Sequence, residues 1–225
     1  RCGIATFTTD LQQAVAASDP DLATSIVAMN DGDGYDYPGS VGFQIRDERI
    51  EDYASAADFL NEGRFDVVSL QHEFGIFGGE AGAHVAGLLA RLTMPVVTTL
   101  HTVLSKPSPA QRGVMERIVD ASSRVVVMAE KGRDMLRTIY RLPADKIEVI
   151  AHGIPDVAFV EPDEAKARLG FAGRSVILTF GLLSPNKGIE VMIDAMPSIL
   201  RRRPDAVYVV LGATPPHLLP EHGDT

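Results

Sequence analysis

Short runs rich in valine and isoleucine alternate along the chain with stretches whose apolar residues recur at helical spacing. This alternation constrains the fold more than any other feature, because strands that are apolar on both faces are covered on both faces. A strand–helix–strand order of this kind predicts an α/β protein with a parallel sheet and helices on both sides. The predicted strands are residues 24–29, 65–70, 95–100, 124–128, 147–151, 175–180 and 206–211.

Proline and glycine mark where these elements end. The clearest helical stripe, in residues 189–199, contains Pro197, which we expect to bend or shorten the helix. Residues 164–169 predict a short helix that Gly170 closes. Residues 30–42 hold four glycines, three aspartates and a proline, and predict a mobile surface loop.

The segment 153–163 contains Pro155 and Pro162 and has no clear periodicity, so it predicts a linker. We therefore expect a first Rossmann-like domain at residues 1–153, a linker and crossover at 154–170, and part of a second domain at 171–225. Gly3 and the first helix follow no strand, and the second domain stops soon after its second strand. Two strands and two helices make a small α/β layer, so we expect a chain truncated at both ends.

Composition excludes several classes of function. With 21 lysines and arginines against 30 acidic residues, the net charge of −9 disfavours nucleic-acid binding. A single cysteine, Cys2, excludes an internal disulfide and fits a reducing compartment. No apolar run approaches about 18 residues, and no signal peptide is visible. We expect a cytoplasmic protein with no transmembrane segment. Contact with a membrane surface is unsupported, because the row Arg133, Arg137 and Arg141 is typical of a solvated helix face.

Two glycine turns are candidate phosphate sites. Gly3 enters the first helix, where unbonded amides and the helix dipole favour an anion. The segment GLLSPNKG at residues 181–188 lies between a predicted strand and a helix, where open α/β sheets bind ligands, and its Lys187 can reach a pyrophosphate. It has neither the Walker nor the GxGxxG spacing. An ordinary turn and a solvated lysine are the alternatives.

Two histidines end neighbouring predicted strands. His72 and Glu73 open the segment QHEFGIFGG at residues 71–79, and His101 follows the run 95–100. A metal site is unsupported, because Ile76 stands where the HExxH pattern requires a second histidine, and no Cys/His cluster has ligand spacing. The glycines of the first segment indicate close approach of a ligand to the backbone. Alternatively, the loop merely turns and both histidines are structural.

Five segments, in their order and spacing, resemble one known family. VILTFGLLSPNKG at residues 176–188 is similar to its strand, G-R-L-x-x-x-K-G motif and helix, and EVIAHGIP at 148–155 to its crossover into the second domain. VVTTLH at 96–101 is similar to its histidine strand, GIATF at 3–7 to its first glycine turn, and VVLG at 209–212 to a later strand. The chain resembles the retaining GT-B glycosyltransferases of family 4 over nearly its whole length.

The resemblance implies two Rossmann-like domains facing across a cleft, the first binding an acceptor and the second a nucleotide sugar. It implies that Lys187, Gly181 and Gly3 contact the donor pyrophosphate and that His101 lies by the reacting sugar. A sugar would pass from a nucleotide diphosphate to a carbohydrate or glycoconjugate acceptor with retention of configuration. The family needs no cofactor and generally no bound metal. The acceptor side would be lined by His72, Gly75, Gly78 and Gly79.

This sequence departs from the family at two places. Leu182 occupies the position of a phosphate-binding arginine, and leucine supplies neither charge nor a hydrogen bond. The family's paired glutamates, separated by seven residues, fall beyond Thr225, and Glu221 and Asp224 do not fit their spacing. We therefore expect the 225-residue piece to have little or no transferase activity. A sugar-nucleotide epimerase and a non-catalytic carbohydrate- or nucleotide-binding module are the alternatives.

Overall fold

The structure, a computed structural model, describes residues 3–32, 34–154 and 156–213. Its contacts divide the chain into two compact units, Arg1–Gly153 and Ile154–Thr225. Some of the sequence-based interpretations fall outside the described residues, namely those on Cys2, Pro155, Glu221 and Asp224. In the described ranges, no helix is long and apolar enough to cross a membrane.

The first unit alternates strands with helices, as predicted. Its sheet contains four parallel strands in the order β3-β4-β5-β6, and β1 and β2 form a separate parallel pair. The strands are β1 (Ile26–Asn30), β2 (Val41–Arg46), β3 (Val68–His72), β4 (Val96–Leu100), β5 (Arg124–Val127) and β6 (Ile147–Val149). The helices are α1 (Gly3–Ser18), α2 (Ile50–Glu62), α3 (Val85–Leu89), α4 (Pro109–Ala121) and α5 (Glu130–Ile139), with 3-10 turns at Glu80–Gly82 and Ala144–Lys146.

Two clusters of buried side chains stabilise this unit. One joins α2 and α3, with Tyr53 and Val85 at its centre, and the other joins α4, α5 and β5 through Met115 and Leu136. Full burial of each such apolar side chain contributes about 1.5–3 kcal/mol to the free energy of unfolding, compared with leaving it exposed. The sheet is therefore held rigidly enough to position the residues that follow its strands.

The structure corrects the prediction of a loop at residues 30–42. Strand β2 begins at Val41, inside that range, and the buried side chain of Asn30 bonds to Gln44 (2.9 Å) and Tyr37 (2.6 Å). The following helix, α2, was not predicted either. It buries Ala56 and Ala57 beside larger side chains, and alanine carries only a weak apolar signal.

The second unit contains α6 (Pro162–Arg168), β7 (Ser175–Phe180), a 3-10 turn at Pro185–Lys187, α7 (Ile189–Arg202) and β8 (Ala206–Leu211). Strands β7 and β8 pair in parallel along their whole length. Helix α7 runs through Pro197, so the predicted shortening is wrong. Within the described part of this unit, Ala206 is the only buried hydrophobic residue, and Phe180 is 71% exposed.

Gly78 gives a direct test of the packing in the first unit. A Cβ atom there would lie 1.9 Å from the carbonyl oxygen of Asp47, whereas one at Gly75 would meet no atom within 4 Å. We expect Gly78→Ala to lower the free energy of unfolding by about 1–3 kcal/mol, because the backbone has to shift. Urea unfolding of both variants measures this. Gly75→Ala is the matched control, and equal stability of the two variants would contradict the packing described.

Candidate active site

The carboxyl ends of β3 and β4 bring the first group of candidate residues together. The two strands pair in parallel with His72 opposite Leu100, and the amide of His101 donates to the carbonyl oxygen of His72 (3.0 Å). Residues that follow parallel strands emerge at the same edge of a sheet, where open α/β proteins bind ligands. The register therefore places His101 beside the segment that follows β3.

His101 is half-buried and held on two sides. Its Nε2 atom lies 3.0 Å from Oε1 of Gln71, and its ring packs edge-on against Phe7, with centroids 4.9 Å apart. Burial lowers the pKa of His101, the charge of Glu73 opposes this shift, and His152 adds to it. These effects together favour the neutral imidazole, which has one nitrogen that donates and one that accepts a hydrogen bond.

Glu73 ties together the segments that follow β3 and β4. One carboxylate oxygen accepts from the amide of Phe74 (3.0 Å), and the other accepts from the hydroxyl of Thr102. Because both oxygens accept hydrogen bonds within the protein, the carboxylate of Glu73 has a structural role in joining the two segments. Over the described ranges, no group of three or more His, Cys, Asp or Glu side chains is placed to hold a metal ion.

The side chain of His72 lies inside the protein. It is fully buried between Phe74 and Phe77, and neither ring nitrogen has a hydrogen-bond partner among the residues that the structure describes. Burial and, to a smaller extent, the charge of the neighbouring His101 together lower its pKa to about 4. The interpretation of His72 as a residue lining the acceptor side does not fit this enclosure. An acceptor could reach the ring only if the two phenylalanines moved.

The three glycines of the same segment differ in their surroundings. Gly78 is buried against the backbone of Asp47, and Gly79 has a left-handed φ of 76°, so both have structural reasons to be glycine. Gly75 is exposed and has open space around it. The predicted close approach is made at Gly78 by the protein's own backbone, and Gly75 is the glycine that leaves room for a ligand.

Helix α1 contributes residues that the sequence analysis did not assign to the site. It begins at the exposed Gly3, and one turn later the ring of Phe7 contacts both His101 and His152, at centroid distances of 4.9 and 5.3 Å. Helical spacing alone does not distinguish a core residue from one that supports a site, so the sequence did not single out Phe7.

The second group of candidate residues lies at the carboxyl end of β7. Gly181 has a left-handed φ of 127°, and a Cβ atom there would lie 3.6 Å from Nζ of Lys187. The amide of Gly181 donates to Leu211 (3.0 Å), and a side chain at Gly212 would collide with the Gly181 carbonyl. The structure thus brings the predicted residues Gly181 and Lys187 together, with the side chain of Leu182 53% exposed beside them.

The ammonium group of Lys187 is available to an anion. Lys187 is exposed, and its Nζ has no carboxylate within ion-pair distance among the residues that the structure describes. Gly188 follows with a left-handed φ of 61° and starts α7. A lysine ahead of a helix N-terminus is an arrangement that suits a phosphate group.

Together, these features define an α/β protein of GT-B-like fold, as predicted. The crystal structure of HepE from Anabaena in complex with UDP-glucose is similar in fold, with a TM-score of 0.63 and 16% identity. That match covers 95% of this chain and 58% of the other. The family model described as Glycosyltransferase Family 4 matches residues 3–157, and the chain belongs to this family.

Two relatives in the same family show how the chain compares with longer proteins. It is 29% identical over 161 residues to D-inositol 3-phosphate glycosyltransferase from Jonesia denitrificans, a match that covers 64% of this chain and 37% of the relative. It is 26% identical over 156 residues to alpha-D-kanosaminyltransferase from Streptomyces kanamyceticus, covering 61% and 40%. The chain spans about two fifths of the length of these curated relatives.

The buried His72 predicts a pH-dependent stability. Its pKa of about 4 in the folded state lies below the ordinary value of 6.5, so the unfolded chain binds more protons between these values. Stability is therefore lost as pH falls from about 6.5 to about 4, by on the order of 3 kcal/mol. We expect His72→Phe to remove this loss, because phenylalanine suits the aromatic surroundings and carries no proton.

Urea unfolding at pH values from about 7.5 to about 4 measures the difference between His72→Phe and the parent chain. Comparing the two proteins cancels the titration of carboxylates that both contain. His152→Gln is the control, since this histidine is exposed and its removal takes away no buried imidazole. A constant difference between His72→Phe and the parent across this pH range would show that His72 is not buried as a neutral group.

Proposed function

We propose that this chain is part of a glycosyltransferase that moves a sugar from a nucleotide-diphosphate sugar to an acceptor hydroxyl, with retention of configuration. The observation that carries the proposal is Lys187, an exposed lysine without a carboxylate partner among the described residues. It lies against Gly181 at the carboxyl end of a parallel strand. Membership in Glycosyltransferase Family 4 supports the same conclusion.

The donor half of the reaction needs positive charge where the leaving diphosphate develops negative charge. Lys187 supplies one cation, and the amides at the start of α7 supply dipoles of the same sign. Gly181 and Gly188 leave the backbone around the lysine without side chains, so a phosphate can approach closely. The similarity in fold to a protein crystallised with UDP-glucose supports a nucleotide sugar as donor.

The acceptor half belongs to the first unit in this proposal. The neutral imidazole of His101 exchanges hydrogen bonds with a sugar hydroxyl, and Gly75 leaves space for the acceptor beside it. One relative is named a D-inositol 3-phosphate glycosyltransferase, which supports a polyhydroxylated acceptor. His72 takes no direct part, because its ring is enclosed.

Replacement of Lys187 tests the donor site. We expect Lys187→Gln to weaken binding of UDP or GDP to the 225-residue chain about tenfold or more, because a charged hydrogen bond of about 1.5–3 kcal/mol is lost. Isothermal titration calorimetry with both nucleotides measures this. Lys166→Gln is the matched control, since Lys166 lies in the same unit but pairs with Asp163 on α6. Equal affinities of the two variants, or no binding by the parent chain, would contradict the proposed site.

Leu182 favours a second candidate function, a binding module with a degraded donor site. The residue is 53% exposed, so an arginine fits there without displacing a core. In an active transferase adapted to leucine, we expect Leu182→Arg to change nucleotide affinity less than about threefold, within the scatter typical of surface substitutions. A gain of about tenfold or more by the same calorimetry would instead support the degraded module. Leu169→Arg, another exposed leucine of this unit, controls for added charge.

A further inference from the structure

We infer that Gln71 is a positioning residue that holds the imidazole of His101 in its Nε2–H form and so leaves Nδ1 as the hydrogen-bond acceptor. Gln71 lies in β3 and His101 immediately follows β4, and their side chains meet at 3.0 Å across the parallel pair. The assignment of the proton does not depend on the proposed function. Only the identity of the group that binds Nδ1 rests on that function.

The orientation of the Gln71 amide decides which imidazole nitrogen carries the proton. In the structure, its Nε2 group donates to Oγ of Ser69 (3.0 Å), and its Oε1 faces Nε2 of the histidine ring (3.0 Å). A carbonyl oxygen only accepts hydrogen bonds, so with this orientation of the amide Nε2 of His101 is the donor. In a neutral imidazole, the other nitrogen, Nδ1, then carries a lone pair.

Other contacts keep the ring from turning away. The amide of His101 donates to the His72 carbonyl (3.0 Å), and Phe7 packs edge-on against the ring. Within the ranges that the structure describes, no protein group hydrogen-bonds to Nδ1 of His101. The available acceptor on this histidine is consequently Nδ1, and in the proposed reaction its partner is a hydroxyl group of a sugar.

The charges around His101 determine how readily its neutral Nε2–H form takes up a second proton. Glu73 favours the charged imidazolium, and His152 and burial oppose it. His72 faces the same group from β3 and is itself held neutral by burial. Helix α1 contributes Phe7, which has no charge. A neutral hydrogen-bond acceptor at position 71, such as the Gln71 amide, therefore preserves the neutral imidazole of His101. A carboxylate at the same position would favour the imidazolium.

Two substitutions separate the role of Gln71 in tautomer selection from a role in packing. Gln71→Met keeps the length of the side chain and removes the acceptor, and Gln71→Glu keeps an acceptor and adds a charge. Long-range 15N–1H NMR spectra of the 225-residue chain report which ring nitrogen of His101 is protonated, and a pH titration of the same signals gives its pKa. Gln13→Met, the same change at an exposed glutamine of α1, is the control.

We expect the parent chain, the Gln71→Glu variant and the control to carry the proton almost entirely on Nε2. Gln71→Met should raise the Nδ1–H fraction to the minor share that an unrestrained neutral imidazole shows. Gln71→Glu should also raise the pKa of His101 by about one unit or more, since an opposite charge then adjoins the ring. An Nδ1–H ring in the parent chain, or the same tautomer ratio in the parent and in a folded Gln71→Met variant, would overturn the inference. Neither outcome bears on nucleotide binding at Lys187, so the proposed function is tested separately.

Discussion

The register between β3 and β4 is the constraint on which the candidate active site depends. His72 lies opposite Leu100, and the His101 amide continues the ladder by donating to the His72 carbonyl. A slip of one residue would turn every side chain of one strand to the opposite face. Thr98 and Leu100 are almost completely buried, so such a slip would expose packed surface. The hydrophobic core thereby fixes the position of a histidine that is not itself part of the core.

Burial gives the two neighbouring histidines different electrostatic roles. His72 is enclosed by aromatic rings and has no hydrogen-bond partner within the described part of the chain. An unsatisfied buried polar group costs about 1–3 kcal/mol. Because burial keeps the ring of His72 neutral, this ring places no positive charge next to His101. His101 has a partner and partial access to solvent, so it can exchange a hydrogen bond with a ligand. The neutral form of His101 is instead favoured by its own partial burial.

The sequence was sufficient to predict the parallel α/β class and the bounds of β7 and β8, because each of these strands coincides with a short run that is rich in β-branched residues. It was insufficient for β2, which alternates in burial, and for α2, which buries alanines. Pro197 was given too much weight: the helix continues through it, so the context of the helix overrides the local preference of proline.

Some features of the candidate site could likewise be predicted from the sequence, and others could not. Gly181 and Lys187 belong to one loop, and their proximity follows from the spacing of a strand, a turn and a helix. The pairing of Gln71 with His101 joins residues on two strands, and it depends on a register that periodicity does not specify. The enclosure of His72 has the same origin, since Phe77 reaches its ring only after the chain has turned at the end of β3.

The two units shape their candidate sites by different physical means. In the first, packed side chains hold His101, whereas in the second the β7–β8 ladder and left-handed glycines shape the loop around Lys187. An exposed leucine at position 182 adds neither charge nor a hydrogen bond there. In the proposed reaction, compensation of a diphosphate by residues 181–189 therefore falls to Lys187 and to the amides that begin α7, whose dipole offers about half a unit charge. A loop built from backbone geometry can keep this lysine in place even though its neighbour Leu182 carries no charge.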